Sequence, residues 1–197
     1  MQHADIAIVG AGAAGMTAAI LAGEAARASG ARVVLLDGAR KPGAKILVSG
    51  GGRCNVTNER VTPEDYFGGG PRNAVRNVLR AFDERRTRAW MHELGVALKL
   101  EPTGKYFPAT DKARTVLDAL IGAVRRANVD FRYPARVAAI EGGGGGDGFV
   151  LRFRDGEPPL AARRLILATG GLALPKSGSD GWGLVAARRL GHSMVET

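Results

Sequence analysis

Three glycines at a fixed spacing are the first residues whose type implies chemistry. Gly10-Ala11-Gly12-Ala13-Ala14-Gly15 fits G-x-G-x-x-G, which cradles a nucleotide diphosphate when it joins a strand to a helix. Gly10 permits the tight turn, Gly12 lets the backbone approach a pyrophosphate, and Gly15 lets helix and strand pack closely. The helix start, over Gly12, Ala13 and Ala14, offers unpaired N–H groups and a partial positive charge to phosphate oxygens. Asp37 lies 22 positions beyond Gly15, where a carboxylate accepts from both ribose hydroxyls and repels a 2′-phosphate. The motif leaves open whether the dinucleotide is FAD or NAD.

The surrounding elements have to place these residues. Ile6–Val9 is a short apolar run, 13–29 is Ala-rich with Gly30 as a stop, and Val33–Leu36 is a second apolar run ending at Asp37. The spacing predicts a βαβ unit over 5–37. Residues 38–70 hold eight Gly and little periodicity, and read as a long wrapping loop of the kind that carries function. Val75, Val78, Leu79 and Phe82 keep helical spacing, as do Val116, Leu117, Leu120, Ile121 and Val124, so helices are expected across 71–127 with a hairpin at 96–108. Strands are predicted at 130–141, 148–154 and 162–168, the middle one alternating through Phe149, Leu151 and Phe153. The Gly142–Gly146 run reads as a hairpin loop, and 184–190 as a last short helix. An antiparallel meander over 130–168, with a return strand ending Ala168-Thr169-Gly170-Gly171, is the order of FAD domains of the glutathione-reductase type. The predicted fold class is therefore α/β: a Rossmann-like FAD-binding domain with an antiparallel β-meander.

A second set of residues narrows the reading. Gly43-Ala44-Lys45, Ser49-Gly50-Gly51-Gly52-Arg53-Cys54-Asn55 and Thr57-Asn58 are followed by Tyr106-Phe107-Pro108-Ala109-Thr110, then by Pro175, Gly178-Ser179, Gly181, Gly183 and Gly191-His192. With these strings the chain resembles, over essentially its whole length, a bacterial family of NAD(P)/FAD-dependent oxidoreductases, the aminoacetone-oxidase-like FAD-binding flavoproteins. The resemblance implies FAD as cofactor and NAD(P)H as electron donor, with an unknown small-molecule substrate. It implies that 43–58 lines the cofactor: Gly50, Gly51 and Gly52 turn amides toward an anion, and Lys45 and Arg53 supply charge to the diphosphate or reduced flavin. Ser49 and Cys54 lie in the same segment, and Asn55 and Thr57 bond the flavin edge. Val137, Ala168, Thr169, Gly170 and Gly171 are counted with the cofactor contacts. It also implies that 1–191 are the FAD-binding part and 192–197 the start of a substrate domain not present here, since family members are about twice as long. Trp182 departs from the family, which has a small acidic residue in that turn.

No catalytic residue emerges. Cys54 is the only cysteine, so a disulfide relay or a four-cysteine zinc site is excluded; a flavin-facing or packing thiol is the expectation. His3, His92 and His192 are scattered and no metal is expected. His192 reads as a cap or packing group, and Tyr106 and Phe107 as flavin neighbours or core. A non-catalytic dinucleotide-binding module is the alternative reading.

Composition sets the outer limits. Of 197 residues, 24% are charged and 45% hydrophobic, which is ordinary for a globular chain. The 29 Gly, about twice the usual ~7%, have no Gly-X-Y period, so collagen is out. Lys+Arg 28 against Asp+Glu 19 gives +9, divided evenly between the halves and mostly Arg; no nucleic-acid or membrane partner is expected from it. No apolar run reaches ~18 residues and no secretory signal is evident, so a cytoplasmic protein is expected.

Overall fold

The computed structural model describes residues 1–67, 71–142 and 148–195. In chain order the elements are β1 (Gln2–Val9), α1 (Ala13–Ala26), β2 (Val33–Leu36), α2 (Ala44–Val48), β3 (Thr57–Asn58), α3 (Arg72–Ala81), α4 (Glu84–Glu93), β4 (Leu98–Leu100), β5 (Lys105–Pro108), α5 (Ala113–Arg126), β6 (Asp130–Arg132), β7 (Val137–Gly142), β8 (Phe149–Phe153), β9 (Leu160–Leu167) and α6 (Trp182–Arg189). They form two compact units, Met1–Lys45 with Leu120–His192, and Ile46–Ala119 with Ser193–Thr197. No described helix is long and apolar enough to cross a membrane.

The first unit is built on a six-stranded sheet of order β6-β2-β1-β9-β8-β7. β6, β2, β1 and β9 are parallel, with Val9 level with Leu36 on one side and Leu167 on the other. β2 and the end of β1 are continuous apolar runs because both faces are covered there: β2 is buried at all four positions and Ala7–Val9 likewise. One face packs Ala7, Val9, Val34, Leu36, Leu151 and Leu160 into a core. Ile8, Met16, Ile20 and Leu35 are also fully buried.

The βαβ expectation holds, with different bounds. β1 starts at Gln2 because its first residues pair with the start of β9. α1 ends at Ala26, where the Gly30 amide bonds the Ala26 carbonyl at 2.9 Å with φ +68°, so Gly30 closes the turn after the helix.

The meander differs more. The predicted strand 130–141 is two strands. Asp130–Arg132 joins the parallel sheet beside β2, whereas Val137–Gly142 pairs antiparallel with β8. Pro134 has no N–H to donate, so the ladder stops there and the chain changes neighbours. β7, β8 and β9 make the meander, and β9 is itself the return strand beside β1. Most of the Gly142–Gly146 loop lies outside the described residues, as do 68–70 of the predicted wrap and the last two residues of the 192–197 segment.

The second unit holds the antiparallel sheet β3-β5-β4. The expected hairpin is present, with Leu98 opposite Pro108 and Leu100 opposite Tyr106. Ile46, Cys54, Met91, Val96, Phe107, Val116 and Leu117 are buried. The predicted wrap is more ordered than a loop: it contains α2, a 3-10 turn at Ser49–Gly52, β3 and a further 3-10 turn at Pro63–Asp65.

Candidate cofactor site

In the first unit the parallel strands bring the phosphate turn and the Ala168-Thr169 end together. A Cβ added to Gly10, which has φ +104°, would lie 2.4 Å from the Ala168 carbonyl oxygen. One added to Gly15 would lie 1.7 Å from the Gly10 carbonyl oxygen. Both glycines are therefore required by the protein itself. Gly12 is not. Its backbone is ordinary, φ −84° and ψ −169°, and a Cβ there would meet nothing within 4 Å.

Gly12 caps α1 without a side-chain bond, and no acid lies in the first turn. The first intrahelical bond runs from the Met16 amide to the Gly12 carbonyl at 3.0 Å. The amides of Ala13, Ala14 and Gly15 precede it and so have no helical partner, and Ala13 and Ala14 are exposed. This is a positive, sterically open backbone cradle suited to an anion.

Asp37 is tied to the same turn. Its Oδ2 accepts from the Ala11 amide at 2.6 Å and its Oδ1 from the Ala39 amide at 2.8 Å. A carboxylate offers about four acceptor positions, so about two remain at this half-buried group. The Ala11–Asp37 bond was not foreseen; the only signal was that the acid ends the neighbouring strand.

Thr169 and Gly170 are fixed from the far side. A Cβ on Gly183 would fall 1.9 Å from Thr169 Oγ1, and one on Gly170 would fall 2.7 Å from Ser179 Oγ. Gly171 is open, with nothing within 4 Å. Val137 is buried in the sheet core, which leaves only its backbone for a ligand. Arg136 is a residue the motifs missed. It packs on Gly38, next to Asp37, and pairs with Asp180. Burial pulls the Asp180 carboxyl up, but bonds from the Trp182 amide and Arg136 outweigh it and hold the group below the usual carboxylate range. Trp182 opens α6, and its amide donates to Asp180 Oδ1 at 3.1 Å, so the acid of this turn stands two residues before the tryptophan.

In the second unit the Ser49–Asn55 turn is left-handed. Gly50 (φ 54°, ψ 35°) and Gly51 (φ 68°, ψ 33°) are followed by Gly52 at φ +84° and Cys54 at φ +66°. The Cys54 amide closes the turn on the Ser49 carbonyl at 3.0 Å. Gly50 is enclosed by Asn55 and Phe107, while Gly51 has nothing within 4 Å. Asn55 faces the Thr57 and Tyr106 carbonyls with its amide nitrogen, at 2.9 and 3.3 Å. Cys54 is buried; burial pushes its thiol up, offset in part by Ser49, so it is not a ready thiolate. Lys45 is exposed.

Arg53 is already partnered. Nη1 donates to Glu101 Oε1 at 2.5 Å and lies 3.5 Å from Asp111 Oδ1, and the guanidinium carbon sits 4.0 Å above the Phe107 ring. The bond to Glu101 raises its pKa further. Its geometry is that of a clamp holding the glycine turn to the β4–β5 hairpin.

Known proteins agree with this frame. A family model described as the HI0933-like protein Rossmann domain matches residues 4–197. The 3-dehydro-bile acid delta(4,6)-reductase of Clostridium scindens is 40% identical over 190 residues, 96% of this chain and 44% of that protein. The ribosomal RNA dihydrouridine synthase of Escherichia coli (strain K12) is 34% identical over 197 residues, 100% of this chain and 47% of that protein. The chain thus spans about half the length of these curated relatives. The crystal structure of 3-ketosteroid-delta4-(5alpha)-dehydrogenase from Rhodococcus jostii RHA1 superposes with TM-score 0.70 at 20% identity, over 98% of this chain and 55% of that one. A flavocytochrome c3 fumarate reductase superposes at 0.65 and 21%, over 98% and 41%. The fold is a mixed α/β Rossmann-like FAD-binding domain with a parallel sheet, and the chain belongs to the HI0933-like protein Rossmann domain family.

Proposed function

We propose that this chain holds FAD and serves as the cofactor-binding part of a flavin-dependent reductase. The observation that carries the FAD reading is Gly12, whose missing side chain no protein contact requires and whose position leaves the start of α1 open. The amides of Ala13, Ala14 and Gly15 would hold the diphosphate, and the remaining acceptor positions of Asp37 the ribose hydroxyls. Ala168, Thr169, Gly170 and Gly171 offer backbone to the adenosine side, as does the main chain at Val137. The family resemblance extends the proposal to Lys45 and to Ser49, Gly50, Gly51, Gly52, Arg53, Cys54 and Asn55, with Arg53 as the clamp of that turn. When bound, FAD supplies hydride transfer; the protein supplies binding, orientation and electrostatics.

The reductase reading rests on what two relatives have in common. A delta(4,6)-reductase and a dihydrouridine synthase are both named for adding hydrogen to an unsaturated ring. We extend that chemistry, and NAD(P)H as the donor, to this family member. Of the two substrate classes, the polyanionic one, RNA uridine, is the better match to the acid-free row Arg72, Arg76 and Arg80 of α3.

The test is FAD uptake by the purified chain followed by anaerobic titration with NADH or NADPH. Flavin that stays with the protein through desalting and bleaches with one donor is the expected result. A colourless protein after incubation with FAD would sink the proposal. Uptake without bleaching would reduce the chain to a binding module.

A further inference from the structure

The whole-chain charge count averages over a local cluster. α3 reads Arg72-Asn73-Ala74-Val75-Arg76-Asn77-Val78-Leu79-Arg80-Ala81 and contains no acid. The three arginines recur every fourth residue, which places them within an arc of about 80°. Asn73 and Asn77 continue the same side. The opposite side carries Val75, Val78 and Leu79, with Phe82 at the helix end. Val75, Leu79 and Phe82 are half-covered, and Phe82 meets Trp90 of α4 edge-on, centroids 5.9 Å apart and planes at 82°. α3 therefore leans its apolar side on its own unit and turns the arginines outward.

These arginines are available, whereas others nearby are not. Arg86 is bonded to the Ala81 carbonyl. Arg88 is bonded to the Tyr106 hydroxyl at 2.7 Å and lies over that ring. Arg72, Arg76 and Arg80 are exposed, and among the described residues none forms an ion pair. Arg76 bonds only Asn73, at 3.2 Å. Asp65, in the 3-10 turn against α3, is held by the Thr62 amide and hydroxyl at 2.7 and 3.0 Å.

We infer that the outer face of α3 is an RNA-docking surface. Arginines in a row with no acids among them match a phosphate backbone, and asparagines between them can reach base edges. A membrane surface fits less well, because the apolar side of α3 is half-covered by its own unit and of that side only Val78 stands open, at 65% exposure. The choice of RNA over other polyanions rests on the substrate reading above; the surface itself does not.

The test is fluorescence anisotropy of a labelled RNA hairpin with uridines in its loop, titrated with the full chain across a salt series. R72Q/R76Q/R80Q is compared with R154Q/R163Q/R164Q, which removes equal charge from exposed positions of the other unit. Circular dichroism and FAD uptake are read on every protein. The α3 variant should bind about tenfold or more weakly, with the slope of log K against log salt lowered by about 2, as expected for three lost phosphate contacts; the control should match the parent. Equal loss in both variants, undiminished binding by a folded α3 variant, or no RNA binding by the parent would overturn the inference. So would binding to phosphatidylglycerol vesicles in place of RNA. FAD uptake is scored separately, so failure of RNA docking and failure of the cofactor reading give different results.

Discussion

At the scale of single residues, the glycines of the phosphate turn do different jobs, and substitutions separate them. Gly12→Ala adds a methyl into open space at an ordinary backbone angle. Its melting temperature should stay near the parent's while FAD affinity falls, and Gly12→Val should abolish uptake. Gly15→Ala drives a Cβ against the Gly10 carbonyl and should destabilise the fold by about 1–3 kcal/mol, measured by urea unfolding. Asp37→Ala removes the acceptor of the Ala11 amide together with the ribose acceptors, and should weaken FAD binding at least tenfold by titration. The sequence made the motif legible because each glycine and the acid sit at a fixed place between predictable elements. It could not separate Gly12 from Gly10 and Gly15, since what distinguishes them is the nearness of Ala168 to Gly10 and of the Gly10 carbonyl to Gly15, both set only by the folded turn. Arg53 shows the same limit. Its type suggested a phosphate ligand, and its partners Glu101 and Asp111 come from strands and turns that only the folded hairpin brings near. Glu101→Gln should speed hydrogen exchange at the Cys54 amide, which closes the glycine turn.

At the scale of elements, apolar runs and helical spacing located nearly every strand and helix, and errors fell where pairing decides. Nothing in Asp130–Glu141 except Pro134 marks the change from the parallel sheet to the meander. The edge strand β6 is held by charge as well as by its ladder. Arg132 and then Arg32 bond Asp130, outweighing the upward pull of its partial burial, and keep the carboxyl below its ordinary value. Arg32 also bonds the His3 carbonyl at 2.9 Å. A depressed folded pKa stabilises above the unfolded value of about 3.9, and that contribution is lost as pH falls through the folded pKa. Amide exchange along β6 should therefore rise below about pH 4, with Asp130→Asn showing less pH dependence. In the core, Leu151 is fully buried, and Leu151→Ala should cost about 2–5 kcal/mol in chemical denaturation.

At the scale of the whole molecule, the cofactor should act as a structural element. FAD at a hundred times its dissociation constant would stabilise the chain by about 2.7 kcal/mol, seen as a melting temperature that climbs with FAD concentration. The fold class was legible from element order, whereas the division into two units was not, because one boundary falls inside the predicted helix at α5 and the other inside a segment that reads as loop. One feature of the sheet carries into the protein's synthesis. β9 lies beside β1, and Ala168 closes the turn at Gly10, 168 − 10 = 158 positions earlier. The nucleotide motif leaves the ribosome well before β9, so its cradle lacks one wall until β9 has emerged and docked. Such distant pairing is slow to form. Cofactor capture then waits on β9, and flavin supply can act as a checkpoint on chains that have finished this sheet.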